Sequence, residues 1–447
     1  MDQGFVLFGI IIIGVVGMII LISKFKWHPF IAMLVAAYFI GMTSGLGVNR
    51  TIDVIRAGFG GILGNIGIVI ASWTIIGIIL EKSGAALTMA NFILGIVGNK
   101  RAALTMSLSG YITGIPVFCD SGFVVLSPIN RALAKKSGVS LAVMATALSS
   151  GLYATHCLVP PTPGPIFIAG ALEADLGLMI LVGLVVTIPI MLAGYFYATK
   201  VTSRYQINPG DTADLDDLLQ QYGQLPSVLR SFAPILTPII LIALKSVSDF
   251  PTRPFGEGFI REFFNFIGNP ITALLLGVGL AITLIPKKEK PNTFNWISDG
   301  IIHSASILVI TGAGGSLGEV LRTLPIADVL RDSLLSYNLG LLIPFIIAVL
   351  LKTAMGASTV AMIITATMMA PIMIPLGYTS AIAKVLMGLS IGAGSMVVSH
   401  ANDSYFWVVS QFSDMDKTTA YKCQTGVTLV QGVVAITTIM ILGAIFI

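Results

Sequence analysis

The chain has 447 residues, of which 55% are hydrophobic and only 10% are charged, and its mean hydropathy is +0.93. A soluble domain carries roughly 25% charged residues, so this chain has too little charge to cover a surface that faces water. The net charge of +4 is spread over loops without a basic stripe, which argues against a nucleic-acid partner. Composition therefore predicts an all-α polytopic membrane protein that lies in a lipid bilayer.

The residue types that enzymes and metal sites need are scarce or scattered. Cys119, Cys157 and Cys423 lie far apart in apolar surroundings, which indicates neither a zinc site nor a disulfide framework. The chain has no phosphate-binding lysine loop, no paired metal-ligand motif and no nucleophile elbow. We therefore expect no metal, no cofactor and no enzymatic activity.

Apolar runs long enough to span a bilayer, about 20 residues each, recur along the chain. In the first half they lie at 3–23, 29–48, 58–80, 102–118, 139–157 and 176–199, with a shorter amphipathic stretch near 85–98 and a further helix from Phe123 to Lys136. In the second half they lie at 231–244, 264–285, 300–321, 338–355, 357–376, 380–400 and 423–447, with a short stretch near 326–336. The first run has no basic residue before it, so it predicts a transmembrane helix and not a removable signal.

A polar linker at 200–228 divides the chain into two transmembrane repeats, at 1–199 and 229–447. Similar motifs recur in the same order in both halves, 241 to 244 positions apart; one example is Gly114-Ile115-Pro116-Val117 and Gly356-Ala357-Ser358-Thr359-Val360. Interrupted helices paired in this way are typical of transporters built from inverted repeats with a site at the midplane. Lysine and arginine cluster at 24–26, 131–136, 200–204 and 287–290, which predicts a cytoplasmic linker and an external N-terminus.

The first break in the helical pattern lies at 113–123, where Gly114, Pro116 and Gly122 interrupt the apolar run. It contains Asp120. A carboxylate at membrane depth is costly, and we predict that Asp120 couples transport to an ion, a proton in the first instance. The alternative is that Asp120 caps the following helix.

The second break follows Thr155 and His156, where the prolines between Pro160 and Pro165 prevent the helix from continuing. Freed backbone amides, the imidazole and the hydroxyls of Thr155 and Thr162 predict a site for a polar substrate. The alternative is a structural kink in which His156 bonds a backbone carbonyl.

The third and fourth breaks belong to the second half. Ser358 and Thr359 are small hydroxylated residues at a helix start, which suits an anionic ligand. Lys352 is a candidate partner for a substrate carboxylate, or it snorkels to the membrane surface.

In the fourth break Ser399 and Asn402 can bond a polyol and Asp403 can accept from one. The alternative is a surface loop with Tyr405 and Trp407 as interface anchors.

At these motifs the sequence resembles the gluconate permease family, the gluconate:proton symporters that include D-serine and idonate carriers. The motifs that carry the resemblance are Lys24-Phe25-Lys26…His28-Pro29-Phe30, Ala57-Gly58-Phe59-Gly60-Gly61…Leu63-Gly64, Gly122-Phe123-Val124, Thr155-His156…Pro160-Pro161-Thr162-Pro163-Gly164-Pro165, Ile267-Gly268-Asn269-Pro270, Gly356-Ala357-Ser358-Thr359-Val360-Ala361 and Ser399-His400-Ala401-Asn402-Asp403…Phe406-Trp407. The resemblance implies inverted repeats with re-entrant hairpins, a homodimer with elevator motion, and an inner-membrane importer of a sugar acid with protons.

Three departures fall where substrate is expected to bind. Family members often have glutamate where this chain has Asp120, and many have histidine where it has Thr162. The family's Gly-Ser-Ala-Thr-Val order is here Gly356-Ala357-Ser358-Thr359-Val360. The substrate is therefore expected to be gluconate or a near relative of it, with D-glycerate and D-serine as alternatives. Sodium coupling, a channel and a membrane enzyme that uses His156, His400 and Asp403 are further alternatives.

Overall fold

The computed structural model describes residues 3–98, 101–210, 225–249, 256–325 and 340–447, and these residues form helices joined by short connections. The first half contains α1 (Gln3–Ser23), α2 (Pro29–Thr43), α3 (Val48–Lys82), α4 (Ala85–Val97), α5 (Ala102–Thr113), α6 (Cys119–Ser137), α7 (Leu141–Leu158), α8 (Pro163–Ala171) and α9 (Leu176–Lys200). The second contains α10 (Val228–Ser248), α11 (Phe259–Ile267), α12 (Pro270–Ile282), α13 (Thr293–Thr323), α14 (Leu342–Met355), α15 (Ser358–Met373), α16 (Ala381–Met396), α17 (Ser404–Phe412) and α18 (Lys417–Phe446). The predicted stretch near 326–336 and residues 211–224 of the predicted linker lie outside the described residues.

Six helices in the described ranges are long and apolar enough to cross a membrane, which agrees with the predicted polytopic class. They become seven if α11 and α12 are counted as one span. The predicted single helix at 264–285 is wrong, because α11 and α12 meet at a bend of 62°. The cause is local: Pro270 begins α12, and the Asn269 side chain caps it by accepting from the Ile271 amide at 3.0 Å.

Two long helices, α3 with 35 residues and α13 with 31, pack against each other along much of their length. Both begin well before the predicted 58–80 and 300–321 runs. Their contact is close because glycines meet: a Cβ added at Gly58 would lie 2.4 Å from the carbonyl oxygen of Gly315. Small residues at such a crossing let two backbones approach, which is a common way of joining helices in membranes.

Several short helices begin or end at the predicted breaks. Helices α5, α8, α14 and α17 have 9 to 14 residues, fewer than the 20 or so that a span needs. Two of them, α8 and α17, are absent from the sequence prediction. The chain resumes helix at Pro163 because proline fits the first turn, where its missing N–H costs nothing.

The helix order recurs along the chain. Helices α5 to α9 and α14 to α18 begin in turn at Ala102 and Leu342, Cys119 and Ser358, Leu141 and Ala381, Pro163 and Ser404, and Leu176 and Lys417, which are separations of 239 to 241 positions. This correspondence supports the predicted repeat. Its inverted orientation stays a prediction.

The basic end of α6 and the segment that follows α9 lie on one face of the protein. Arg131 donates to the carbonyl of Pro209 at 3.1 Å and to that of Phe412 at 2.9 Å, and it pairs with Asp414 at 2.8 Å. Ser140 donates to the carbonyl of Tyr205 at 2.7 Å. The predicted basic clusters at 131–136 and 200–204 are therefore neighbours.

Candidate functional site

Three of the four helices that begin at a break start without a side-chain cap. The N-cap residues of α6, α8 and α15 are Phe118, Thr162 and Ala357, and none of their side chains caps the helix. Thr162 has a suitable hydroxyl but donates it to the carbonyls of His156 at 2.8 Å and Val159 at 2.9 Å. Uncapped helix N-termini carry partial positive charge and amides that can bind an anion.

Lys352 and Asp403 connect the third break to the fourth. Lys352 is fully buried in the last turn of α14, and its Nζ lies 2.7 Å from Asp403 Oδ2. The same ammonium donates to the carbonyl of Gly356 and lies 5.8 Å from the centre of the Tyr153 ring. The alternative that Lys352 snorkels to the membrane surface is wrong, because the ammonium is enclosed by these partners.

Both carboxylate oxygens of Asp403 accept hydrogen bonds from the protein. Besides Lys352, its Oδ2 accepts from the Ser399 hydroxyl at 2.6 Å, and its Oδ1 accepts from the Tyr405 amide at 3.1 Å. The second bond caps α17, which is why this helix, unlike α6, α8 and α15, has a satisfied start. The pair is thus neutral and fully hydrogen-bonded, as a buried ion pair must be if it is not to destabilise the fold.

The chain passes through the third break by means of one glycine. Gly356 has φ +84°, and a Cβ there would lie 2.1 Å from the carbonyl oxygen of Asn402. Only glycine combines this backbone conformation with so close an approach. Asn402 is itself exposed, and its side-chain amide donates to the Thr353 carbonyl at 2.9 Å, as His400 Nε2 does at 3.1 Å.

Tyr153 joins the second break to the third. Its hydroxyl lies 2.6 Å from Ser358 Oγ at the start of α15. Its ring stacks on Tyr405, with centroids 5.2 Å apart, and lies nearly parallel to His156, with centroids 6.4 Å apart. The Tyr405 hydroxyl donates to the Ser149 carbonyl at 3.2 Å. Neither tyrosine is among the sequence-predicted binding residues; the available signal is a tyrosine in an uncharged helix, whose hydroxyl needs a partner.

His156 contacts the residues that precede α6 and α8. Its ring packs against Tyr153 and, at 6.2 Å, against Phe118, and its carbonyl accepts from Thr162. The residue is 6% exposed and its Nδ1 has no hydrogen-bond partner among the described residues. The alternative that a backbone carbonyl satisfies this nitrogen does not hold for Nδ1.

Thr155 and Thr359 lie in different surroundings. The Thr155 hydroxyl donates to the Tyr111 carbonyl at 3.1 Å, and a Cβ at Gly114 would approach that hydroxyl to 2.5 Å. Thr155 therefore holds α5 against α7. Thr359 is half-buried in the first turn of α15 beside Ser358.

Asp120 lies half-buried in the first turn of α6, beside the residue that follows Asp403. Its Oδ1 accepts from the Ser404 hydroxyl at 3.3 Å and its Oδ2 lies 3.7 Å from the Cys119 thiol. The N-cap alternative is wrong, since Phe118 occupies that position. Asp120 contacts no cation among these bonds, unlike Asp403.

A π-helical turn in α18 is hydrogen-bonded to the fourth break. Within Tyr421–Thr425 the helix widens, and Thr425 donates to the Ser399 carbonyl. One turn later Thr428 Oγ1 accepts from the Ser399 amide at 3.0 Å. Such π turns occur frequently at functional sites. Both threonines were missed by the sequence reasoning, because they lie in an unbroken apolar run.

Predicted residues from all four breaks thus form one connected cluster, called here the break cluster. It joins α7 to α15 through Tyr153 and Ser358, α14 to α17 through Lys352 and Asp403, and α6 to α17 through Asp120 and Ser404. His156 is buried in it against Tyr153, whereas Asn402 lies at its exposed edge. The cluster presents uncapped helix starts, one free imidazole nitrogen and one carboxylate without a cation.

The chain is similar in fold to two solved structures of transporters. The chain is similar to the YdaH transporter of Alcanivorax borkumensis with a TM-score of 0.64 and 15% identity, covering 94% of this chain and 99% of that one. It is similar to the efflux pump MtrF of Neisseria gonorrhoeae with a TM-score of 0.66 and 15% identity, covering 95% and 96%.

The family is established over nearly the whole chain. The model of the GntP family permease matches residues 6–445, and the chain belongs to that family. It is 35% identical to an uncharacterized permease of Haemophilus influenzae over 90% of this chain and 84% of the relative. It is 33% identical to the gluconate permease of Pseudomonas aeruginosa, covering 97% and 96%, and 32% identical to the D-serine transporter DsdX of Escherichia coli, covering 95% and 96%. The protein is a multi-pass permease of the inner membrane and not an enzyme.

Proposed function

We propose that the protein imports gluconate, or a closely related small hydroxylated carboxylate, together with protons. The observation that carries this proposal is the buried, free Nδ1 of His156 near two uncapped helix starts: that of α8, where Thr162 bonds His156, and that of α15, where Ser358 bonds the neighbouring Tyr153. An anion that enters there meets helix amides and partial positive charge. The GntP family membership and the gluconate permease relative support the same class of substrate.

The substrate carboxylate lies, in this proposal, at the helix starts and not on Lys352. Lys352 is already neutralised by Asp403, and breaking that pair would leave a charge buried without a partner. Substrate hydroxyls bond His156, Thr359 and the shared Ser358–Tyr153 hydroxyls. Asn402 closes the exposed edge.

The remaining predicted residues have supporting parts in the proposal. Thr155, Thr162 and Ser399 already donate their hydroxyls to the protein, so they can only accept from a substrate hydroxyl. Asp403 orients Lys352 and caps α17. These residues give the break cluster its shape.

We assign binding and release of the coupled proton to Asp120. It is the half-buried carboxylate of the cluster, and its bonding partners are a hydroxyl and a thiol, both neutral. A carboxylate without a cation in a bundle interior favours proton exchange over permanent charge. Sodium coupling is the competing assignment, and replacing sodium by choline in an uptake assay distinguishes the two.

D-Serine is a second candidate substrate, because the chain is 32% identical to a D-serine transporter. Asp120 could then pair with the substrate ammonium while the helix starts bind its carboxylate. A thermal-shift screen of purified protein against gluconate, other sugar acids and D-serine tests both, since a ligand that binds the folded state raises its apparent stability. A shift with gluconate and none with D-serine supports the first assignment; no shift with any hydroxylated acid contradicts it.

Orientation follows from the basic clusters. Those at 131–136 and 200–204 lie on one face, which the positive-inside rule assigns to the cytoplasm. The linker is cytoplasmic in this assignment, with repeats at 1–199 and 229–447 on either side. The homodimer implied by the family resemblance stays a prediction for mass measurement in detergent.

A further inference from the structure

A hollow of about 160 Å³ lies away from the break cluster, between α3, α8, α13 and α15. A second hollow of about 290 Å³ adjoins it and shares Glu173, Arg322 and Ala370. Together they form one cleft, called here the Arg322 cleft. A cavity of about 150 Å³ is large enough to hold benzene, so this cleft can admit a small solute.

The wall of the Arg322 cleft combines glycine backbone and charged side chains with apolar side chains such as Ile62 and Leu324. Glycines of α3 and α13 line it, among them Gly61 and Gly318, and they leave the space open where side chains would fill it. Arg322 donates to the carbonyl of Ala171 at 2.7 Å and lies 3.8 Å from Glu173. Glu319 lines the same wall. A hydroxylated acid has a carboxylate for the guanidinium and hydroxyls that can donate to the two glutamates.

The mouth of the cleft lies at one membrane face. Glu173 precedes the start of α9 at Leu176, and Lys200 ends that helix, so the two residues lie at opposite ends of a spanning segment. Arg322 likewise lies in the last turn of the spanning helix α13. With Lys200 at the cytoplasmic face, the mouth opens to the outside.

The inner end of the cleft is closed by Phe167. This ring is 1% exposed, and a Cβ added at Gly314 would lie 3.1 Å from it and 2.6 Å from Ile363 of α15. Helix α8 begins at Pro163, so at 1.5 Å per residue Phe167 lies about 6 Å along the helix from the break cluster. Gly164 of α8 packs on Met362 of α15 in the same interval.

We propose that the Arg322 cleft is the outer access route of the permease and that Phe167 is the barrier between it and the break cluster. The inference rests on the proposed function for the identity of the solute and for orientation. Opening the route requires the Phe167 ring to move or α8 and α15 to shift along α3 and α13. The contacts between those helices include glycines of α8 and α13: Ile66 packs against Gly170, and Phe167 and Ile363 pack against Gly314.

Accessibility of an introduced cysteine tests the route directly. A Cβ at Gly61 meets nothing within 4 Å, and the native cysteines are buried, so Gly61→Cys adds one accessible thiol to the cleft. A charged, membrane-impermeant methanethiosulfonate reagent added outside intact cells should label it and remove most of the uptake. Gly64→Cys is the matched control, because its Cβ is equally unobstructed but does not line the cleft; its uptake should survive the reagent.

The barrier is tested by truncating Phe167. Phe167→Ala should let the external reagent reach Cys157, which is fully buried beside His156 in the wild type. Phe123→Ala is the control for lost packing, because Phe123 is an equally buried ring on α6. Equal labelling of Cys157 in both variants contradicts the barrier, and so does the absence of labelling in a Phe167→Ala protein that remains folded by size-exclusion chromatography.

The proposed substrate and the proposed access route can be disproved independently of each other. Labelling of Gly61→Cys requires no knowledge of the substrate, so a negative gluconate screen with positive external labelling removes the substrate assignment and leaves the route. Full uptake by fully labelled Gly61→Cys protein, or labelling only in inside-out vesicles, overturns the route whatever the substrate is.

Discussion

Lys352 and Asp403 form an ion pair in the interior, with Nζ and Oδ2 2.7 Å apart and both side chains buried. The two residues are 51 positions apart in the chain. The pair joins the end of α14 to the start of α17, and its ammonium also holds the carbonyl of Gly356. It therefore sets the geometry of two helix starts while it contributes no net charge.

Removing one member of this pair is predicted to destabilise the protein. Asp403→Asn leaves a buried ammonium without its partner, which costs roughly 3–5 kcal/mol. Lys352→Met with Asp403→Leu removes both charges and should recover part of that loss. Thermal unfolding in detergent measures the order of stabilities. We expect the wild type to be the most stable, the double variant to be intermediate and Asp403→Asn to be the least stable.

The control for this prediction is the pair of Lys82 and Asp299, whose side chains are 39% and 38% exposed. Exposed pairs contribute about 0–1 kcal/mol, so Lys82→Met should change the unfolding temperature little. If Asp403→Asn is as mild as Lys82→Met, the buried pair does not organise the breaks.

Asp120→Asn is predicted to uncouple transport from the proton gradient. The amide keeps the shape of the side chain and can still bond Ser404, but it cannot exchange a proton. We expect loss of uptake driven by a pH gradient, with substrate counterflow retained in proteoliposomes. Asp53→Asn is the control, since Asp53 is 74% exposed on α3 and far from the breaks. Unchanged pH-driven uptake in Asp120→Asn protein contradicts the assignment.

Tyr153→Phe tests the hydroxyl pair at the start of α15. It removes the bond to Ser358 Oγ and retains the stacking on Tyr405 and His156. A net hydrogen bond is worth about 1 kcal/mol, which corresponds to roughly a fivefold rise in KM.

Tyr405→Phe is the matched comparison for Tyr153→Phe. It loses a bond to the carbonyl of Ser149, outside the proposed substrate contacts, and its KM should stay near that of the wild type. Initial rates of uptake over a range of substrate concentrations separate KM from the maximal rate. Equal KM values in the two variants would remove Tyr153 and Ser358 from the binding surface.

Gly356→Ala is predicted to abolish folding or transport, because the new methyl group would meet the backbone of Asn402 at 2.1 Å. Gly377 has nearly the same φ, +88°, but open space around it. Gly377→Ala therefore carries only the conformational penalty, of order 1–3 kcal/mol. Expression level and elution on size-exclusion chromatography compare the two; similar behaviour would show that the contact at Asn402 is not restrictive.

The positions of the breaks could be predicted from the sequence, because glycine, proline and a lone carboxylate are conspicuous in apolar runs. Asp120 and Ser358 were identified on those grounds. The bend between α11 and α12 was not, although Asn269 and Pro270 form a readable helix start. There the apolar composition on both sides concealed the local signal.

The partners within the site could not be predicted. Lys352 was assigned to a substrate carboxylate because nothing in one sequence indicates that Asp403 lies 2.7 Å from it. Tyr153 is missed because it lies in an uncharged and mostly apolar helix, α7, and its importance arises from three neighbours on other segments. Such pairings depend on how broken helices meet in space, which periodicity does not specify.

The most direct test of the account is uphill uptake of labelled gluconate into sodium-free proteoliposomes with an inward proton gradient. We predict accumulation above the external concentration, abolished by a protonophore and no greater when sodium is added to the buffer. Accumulation that requires a sodium gradient, or flux that only equalises the concentrations on both sides, would contradict proton-coupled import through the break cluster.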